Sequence, residues 1–343
     1  MYIAIKFALG KHFCERAYFQ EEKSVRNRGI KAAVQKVGVC VCASVLFLTG
    51  CGSTAAPNST EPSQTKETIT VVTTIGQIAE PVAFIGGDKV QVTSLMGPGV
   101  DPHLYNATQG DIKKLENADL VLYSGIHLEG NMIDIFGQIG KTKAVSAIAE
   151  SIPKEKLLSD EDGQLDPHVW FDIDLWKIAL ATATDELKKL APEHAEYFEG
   201  NKEKYFSQLD ALKRESQEKL KQIPQEKRVL VTAHDAFGYF GRLHEMKVVG
   251  LQGLSTEDEI GISDIQSTIE LLLAYKIPAV FVESSINQNS IKAVIEGAGS
   301  AGLEVKLGGE LFSDAMGDAG TPEGTYIGMY RHNVETIFQA LNQ

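Results

Sequence analysis

The 343-residue sequence reads as an α/β protein of two lobes, each with a mainly parallel four-stranded sheet flanked by helices, joined by a long helical connection. Three observations predict this. Short β-branched runs alternate with segments of helical spacing, the pattern of parallel sheets covered on both faces. That alternation occurs twice. Between its two occurrences, residues 172–223 carry no strand signal.

The amino terminus stands apart from this pattern. From Arg26, the segment RNRGIKAAVQK has four basic residues and no acid, and an unbroken small and apolar run follows from Val37 to Leu48. Such a run is too short to span a bilayer as a helix and suits the core of a signal peptide. It ends in Leu48-Thr49-Gly50-Cys51, which resembles the lipobox of bacterial lipoproteins, where the cysteine is lipidated and becomes the first residue. Residues 1–50 are therefore expected to be a signal peptide. Its first 25 residues form a long, mixed-charge leader, as expected if translation starts downstream near Val25. Residues 51–67 lack large apolar side chains and read as a lipid-anchored flexible tether.

The first lobe is expected over 68–171. Its strands are Ile69–Thr73, Val90–Leu95, Leu120–Tyr123 and a short one near Ala144, with helical patterns at Gly110–Asn117 and Gly130–Gln138. Residues 172–223 form the helical connection. Within it, Pro192–Gln222 spaces Tyr197, Tyr205, Leu209, Leu212 and Leu220 among many charges, which predicts one or two long helices. The second lobe is expected over 224–343, with strands Val229–Thr232, Val248–Leu251, Ala279–Val282 and Val305–Leu307. Ser263–Tyr275 sets Ile265, Ile269 and Leu272 on one helical face.

Composition excludes several function classes. With 43% hydrophobic and 23% charged residues the chain is globular rather than disordered. Its formal charge of −13 counts against nucleic-acid binding, which needs clustered Lys and Arg. Loss of residues 1–50 leaves 25 basic against 43 acidic residues, a net −18. The four cysteines, Cys14, Cys40, Cys42 and Cys51, all precede the expected fold, so the fold holds no disulfide framework, Cys-based zinc module or iron–sulfur cluster. Gly297, Gly299 and Gly302 spell G-x-G-x-x-G, but they follow a helix and precede a strand, the reverse of a nucleotide-binding unit.

In α/β sheets, ligands bind beyond the carboxyl ends of strands. Four polar positions fall there. His103 follows the second strand in MGPGVDPHLY, His168 follows the fourth in DPHVWFD, and His234 ends the fifth. The loop after the last strand, GGELFSDAMGDAG, offers Glu310, Asp314 and Asp318. Three imidazoles and one carboxylate at equivalent strand ends make a metal site built by the fold. In both Asp-Pro-His tripeptides the proline stiffens the approach, and the aspartate can orient the loop or accept from the second imidazole nitrogen. His127 and Glu283 also follow strands. His127 is read as lying outside the site and Glu283 as a structural hydrogen-bond acceptor. His194, His244 and His332 sit among charged helical residues and are expected to be solvated.

The strings VTSLMGPGVDPHLYNAT, DPHVWFD, VTAHDAFGYF, LQGLSTEDE, VFVESS and GGELFSDAMGDAGTPEGTY carry a resemblance that spans Thr68–Gln343. The sequence resembles the metal-specific solute-binding proteins of bacterial ABC importers, the group that includes TroA-type and ZnuA-type lipoproteins. The resemblance implies two lobes bridged by a rigid long helix, with the metal between them. Residue by residue it assigns His103, His168, His234 and Asp314 as metal ligands, and so selects Asp314 over Glu310 and Asp318. It further implies capture of transported Zn2+, or of Mn2+, and delivery to an ABC permease with its ATPase. The protein is expected to be a monomer, lipid-anchored through Cys51 at the extracytoplasmic face of the bacterial cell membrane. Zinc is favoured because imidazole suits it and His234 stands where manganese importers of this group commonly have glutamate. The rival readings are a zinc hydrolase and a surface adhesin. No H-E-x-x-H or G-x-S-x-G supports the first, nothing in the sequence supports the second, and the protein is expected not to be an enzyme.

Overall fold

The computed structural model describes residues 68–257 and 259–342. The expected signal segment (1–50), the lipidation site Cys51 and the tether (51–67) lie outside the described residues. The β-branched runs become strands β1 (Ile69–Thr73), β2 (Val90–Ser94), β3 (Leu120–Tyr123) and β4 (Ala144–Ala147). They form one parallel sheet in the order β2-β1-β3-β4. In the second half, β5 (Val229–His234) pairs in parallel with β6 (Lys247–Gln252), and β7 (Ala279–Glu283) with β8 (Lys306–Leu311). Strands β5 and β7 lie side by side. The spatial order β6-β5-β7-β8 therefore repeats that of the first sheet, with the hydrogen bonds divided into two ladders.

Strand β8 runs further than the sequence suggests, because Gly308 and Gly309 continue it. A Cβ at Gly308 would sit 2.6 Å from the Phe281 ring, and Gly309 has φ +139° beneath Thr336. The register also shifts between Val280 and Phe281. Glycine is the residue that tolerates such a bulge and close approach. This irregular strand leads into the loop that carries Asp314.

Nine helices cover the described sheets: α1 (Gly76–Gly86), α2 (Gln109–Asn117), α3 (Ile133–Ile139), α4 (Ile173–Leu190), α5 (Ala195–Leu220), α6 (Gly238–His244), α7 (Ile262–Tyr275), α8 (Asn289–Ser300) and α9 (Tyr326–Leu341). Pro81 sits within α1 and hides that helix from a reading by pattern, since an interior proline ordinarily argues against helix. Gly297 and Gly299 lie in α8, and Gly302 just beyond it takes φ +91°. The glycine pattern is thus a helix-ending turn.

The helical connection is two helices, α4 and α5, broken at Ala191-Pro192. Helix α5 buries Phe198, Tyr205, Leu209, Leu212 and Leu220, a stripe of helical period. Phe198, and not the half-exposed Tyr197, begins that stripe. Along its length α5 packs on α1 of the first lobe, on α4, and on α9 of the second. One apolar core runs from Val71, Val121 and Leu122 through Trp176 and Leu209 to Phe240 and Tyr330. A smaller cluster around Val231, Leu272, Val282 and Val294 closes the second lobe.

A polar junction fixes α5 within this core. Glu80 Oε2 of α1 accepts the Tyr205 hydroxyl of α5 at 2.7 Å and the backbone N–H of Tyr326 in α9 at 3.3 Å. Tyr205→Phe leaves that carboxylate one donor short. We expect it to lower unfolding stability by about 1–3 kcal/mol, read as a lower denaturant midpoint at unchanged slope. An unchanged midpoint would show that this junction does not bind α5.

Candidate metal centre

His103, His168, His234 and Asp314 converge, and each offers one ligand atom within 4.8 Å of all the others. All four side chains are buried. The Nε2 atoms of His103 and His168 are 3.3 Å apart. Asp314 Oδ2 lies 3.3 Å from His234 Nε2 and 3.8 Å from His103 Nε2, and Oδ1 lies 3.4 Å from His168 Nε2. An ion bound tetrahedrally at about 2.0–2.1 Å sets its donor atoms roughly 3.4 Å apart. The rings meet at 58°, 71° and 81°, so they aim edges at a common point instead of stacking. Both Asp314 oxygens lack a hydrogen-bond donor. A fully buried carboxylate without donors is costly unless a cation compensates it. The donor set suits a borderline divalent metal.

The side chains of the cluster are held from behind. His234 is the last residue of β5, and Glu283 the last of the adjacent β7. Glu283 Oε1 accepts the His234 backbone N–H at 2.8 Å, while Oε2 lies 2.6 Å from Nδ1, off the ring N–H direction. The structural role read for Glu283 matches this placement. In the DPHVWFD segment, Asp166 Oδ1 accepts both the backbone N–H of His168 (2.9 Å) and lies 2.8 Å from its Nδ1. Tyr239 donates to the Asp166 carbonyl at 2.9 Å. Val169, Trp170 and Phe171 are buried, and Asp172 caps α4 through the N–H groups of Asp174 and Leu175. Trp170 Nε1 and Gln77 Nε2 both donate to the Ser313 carbonyl, at 3.2 and 3.1 Å, and so fix the residue before Asp314. Glu310 and Asp318 are exposed and do not join the cluster.

The two Asp-Pro-His aspartates act differently. Asp101 does not reach the His103 ring; its Oδ1 accepts the His103 backbone N–H at 2.9 Å. The His103 loop is further tied by Asn131, which donates to the His103 carbonyl at 3.2 Å. Tyr105 anchors it to Asp111 of α2 at 2.8 Å. Glu129, wholly buried, accepts from Thr74 Oγ1 (2.6 Å) and from the backbone N–H groups of Ser124 and Gly125. It supports a turn in which Ile126 and His127 have φ +53° and +63°, left-handed values that cost non-glycine residues energy. His127 lies exposed on the rim, outside the cluster. A cavity of about 570 Å³, lined by His103, His127, Gln164, Ser255 and Glu257 among others, opens onto His103.

His244 departs from its expected solvation. It is buried against the Phe240 ring, and its Nε2 lies 2.8 Å from the Tyr330 hydroxyl. Apolar residues on α6 and α9 override the charged neighbours in sequence. Glu129, Asn131 and Thr256 support the site without a sequence signal of their own, because Thr74, His103 and Asp101, which they respectively contact, are distant in the chain.

The electrostatics divide the four side chains of the cluster. Burial pushes His103 down to about 3. Burial also opposes charge on His168, but its contact with Asp166 and the nearby Asp314 carboxylate outweigh that and raise it to about 9. His234 is likewise buried, yet the Glu283 and Asp314 carboxylates hold it well above the ordinary imidazole range. Asp314 resists burial and stays well below the carboxylate range, held there by His234 and His168. Without metal, the flanking carboxylates favour the charged forms of His168 and His234.

Among the described residues, no helix is long and apolar enough to cross a membrane. The family model for "zinc-uptake complex component A, periplasmic" matches residues 71–340. The manganese-binding lipoprotein MntA of Bacillus subtilis (strain 168) is 51% identical over 304 residues, 87% of this chain and 98% of its own. The zinc-binding protein TroA of Treponema pallidum (strain Nichols) is 48% identical over 271 residues, 79% of this chain and 88% of its own. The solved structure of that periplasmic TroA superposes with a TM-score of 0.79 at 47% identity, covering 80% of this chain and all of the other. The chain belongs to the ZnuA/TroA family of metal-binding proteins, whose members are substrate-binding components of transporters and not enzymes.

Proposed function

We propose that this protein captures a divalent transition metal outside the cell membrane and delivers it to an ABC permease. His103, His168, His234 and Asp314 are the ligands, and a lipid on Cys51 tethers the monomer to the membrane. The observation that carries this reading is the donor-free Asp314 carboxylate facing three convergent Nε2 atoms. Zinc is the favoured cargo: three imidazoles and one carboxylate at near-tetrahedral spacing match its preferences. Manganese is the second candidate, since a carboxylate with both oxygens free can bind through two and enlarge the coordination number. The names of the relatives point both ways, to manganese for MntA and to zinc for TroA.

Competitive calorimetric titration of metal-stripped residues 52–343 tests the reading. One tight zinc site is expected, with His234→Ala weakening it by about 100-fold or more, as when a metal ligand is lost. Absence of any tight site for zinc or manganese would overturn it.

Proton competition supplies the second prediction. The carboxylates beside metal-free His168 and His234 favour protons on both rings, and the metal must displace them. Each displaced proton changes apparent affinity about tenfold per pH unit. Binding should therefore tighten roughly 100-fold per unit from pH 6 to 8, with two protons released, read from the dependence of binding enthalpy on buffer. No proton release would contradict the assignment.

The metal-free fold should respond in the opposite sense. A raised imidazole adds stability that is complete below about pH 6.5 and lost as pH rises through about 9 for His168. Thermal unfolding midpoints of the stripped protein should accordingly fall between pH 6.5 and 9. A midpoint that stays constant would show that His168 is not held charged.

A further inference from the structure

We infer that Asp101 and Thr256 form a latch across the mouth of the cleft that slows escape of the bound ion. The inference rests on the four-ligand reading above but concerns residues outside that set. Asp101 uses its two oxygens on two partners. Oδ1 accepts the backbone N–H of His103 at 2.9 Å, and Oδ2 accepts the Thr256 hydroxyl at 2.6 Å, 155 positions away in the other lobe.

Each end of the latch is tied to a ligand. On the first-lobe side the same loop is held by Asn131 on the His103 carbonyl and by Tyr105 on Asp111. On the second-lobe side, Gln252 Nε2 donates to the Thr256 carbonyl at 2.8 Å. Gln252 ends β6 and is the register partner of His234. Hydrogen bonds therefore run from His103 through Asp101 and Thr256 to Gln252, and strand pairing carries the path on to His234.

Its position gives it a task. Bonds from Trp170 and Gln77 to Ser313 and from Tyr239 to Asp166 also link the lobes, and those bonds are wholly buried. Thr256 sits between Ser255 and Glu257, which line the cavity that opens onto His103. Thr256 is itself buried, although Gly253 and Glu257 beside it are exposed. A segment tied on this side by a hydroxyl–carboxylate bond can swing away when that bond breaks. The cleft then opens at its mouth without disturbing the core. Asp101 and Thr256 are positioning residues, since neither is placed to touch the ion.

The test is stopped-flow dissociation of zinc from the full mature protein into excess chelator. A hydrogen bond to a charged group is strong enough that its loss should speed escape by about tenfold or more. We expect that increase in Thr256→Val, a return to the wild-type rate in Thr256→Ser, and little change in the association rate. A Thr256→Val rate within twofold of wild type overturns the latch while leaving capture intact, whereas absence of tight zinc binding by wild type overturns both. Should Thr256→Val fold poorly, hydrogen exchange in the wild type decides. Residues 253–257 should be better protected with zinc than without, and equal protection refutes the latch.

Discussion

A carboxylate sealed from water with no hydrogen-bond donor sets the terms for the rest of this structure. Asp314 is buried, and both its oxygens face imidazole edges. Charge in such surroundings must be neutralised locally or the fold loses stability. The neighbourhood does this with imidazoles whose far nitrogens face further carboxylates, Asp166 behind His168 and Glu283 near His234. The acids thus surround the histidines from both sides. A divalent cation carries the same charge as the two protons it displaces, and it places that charge where the Asp314 oxygens and the three imidazole edges converge.

The architecture delivers those groups by strand ends. Both lobes use the same order of parallel strands, and His234 and Glu283 terminate the two central strands of the second. The carboxylate that holds His234 therefore comes from a neighbouring strand and owes nothing to sequence proximity. Asp166 achieves a similar result within a tripeptide, by turning back onto its own neighbour. One orienting contact is made by topology and the other by local geometry.

That difference explains what could be read in the sequence. The strands of the first lobe stand where β-branched runs place them, and the three histidines at strand ends follow from the α/β rule. Choosing Asp314 among three nearby acids needed the family resemblance, because Glu310 points outward only once β8 is extended through Gly308 and Gly309. Helix α1 escaped notice through Pro81, and the burial of His244 through charged neighbours in sequence. Thr256, Glu129 and Asn131 were silent for a common reason. Each has a partner brought near only by folding, Asp101, Thr74 and His103 respectively, and a single hydroxyl, carboxylate or amide has no pattern to betray it.

Helix α5 has a mechanical consequence. Its 26 residues span about 39 Å and share one continuous core with both lobes. Spreading the lobes would mean flexing a packed rod and tearing apolar contacts along it, not bending a pair of strands. The thermal energy at hand is spent more cheaply at the rim. A receptor of this build behaves less like a pair of jaws than like a box with a small door. The cost of emptying it falls on whatever opens that door, which keeps the cargo from leaking back into dilute surroundings between encounters.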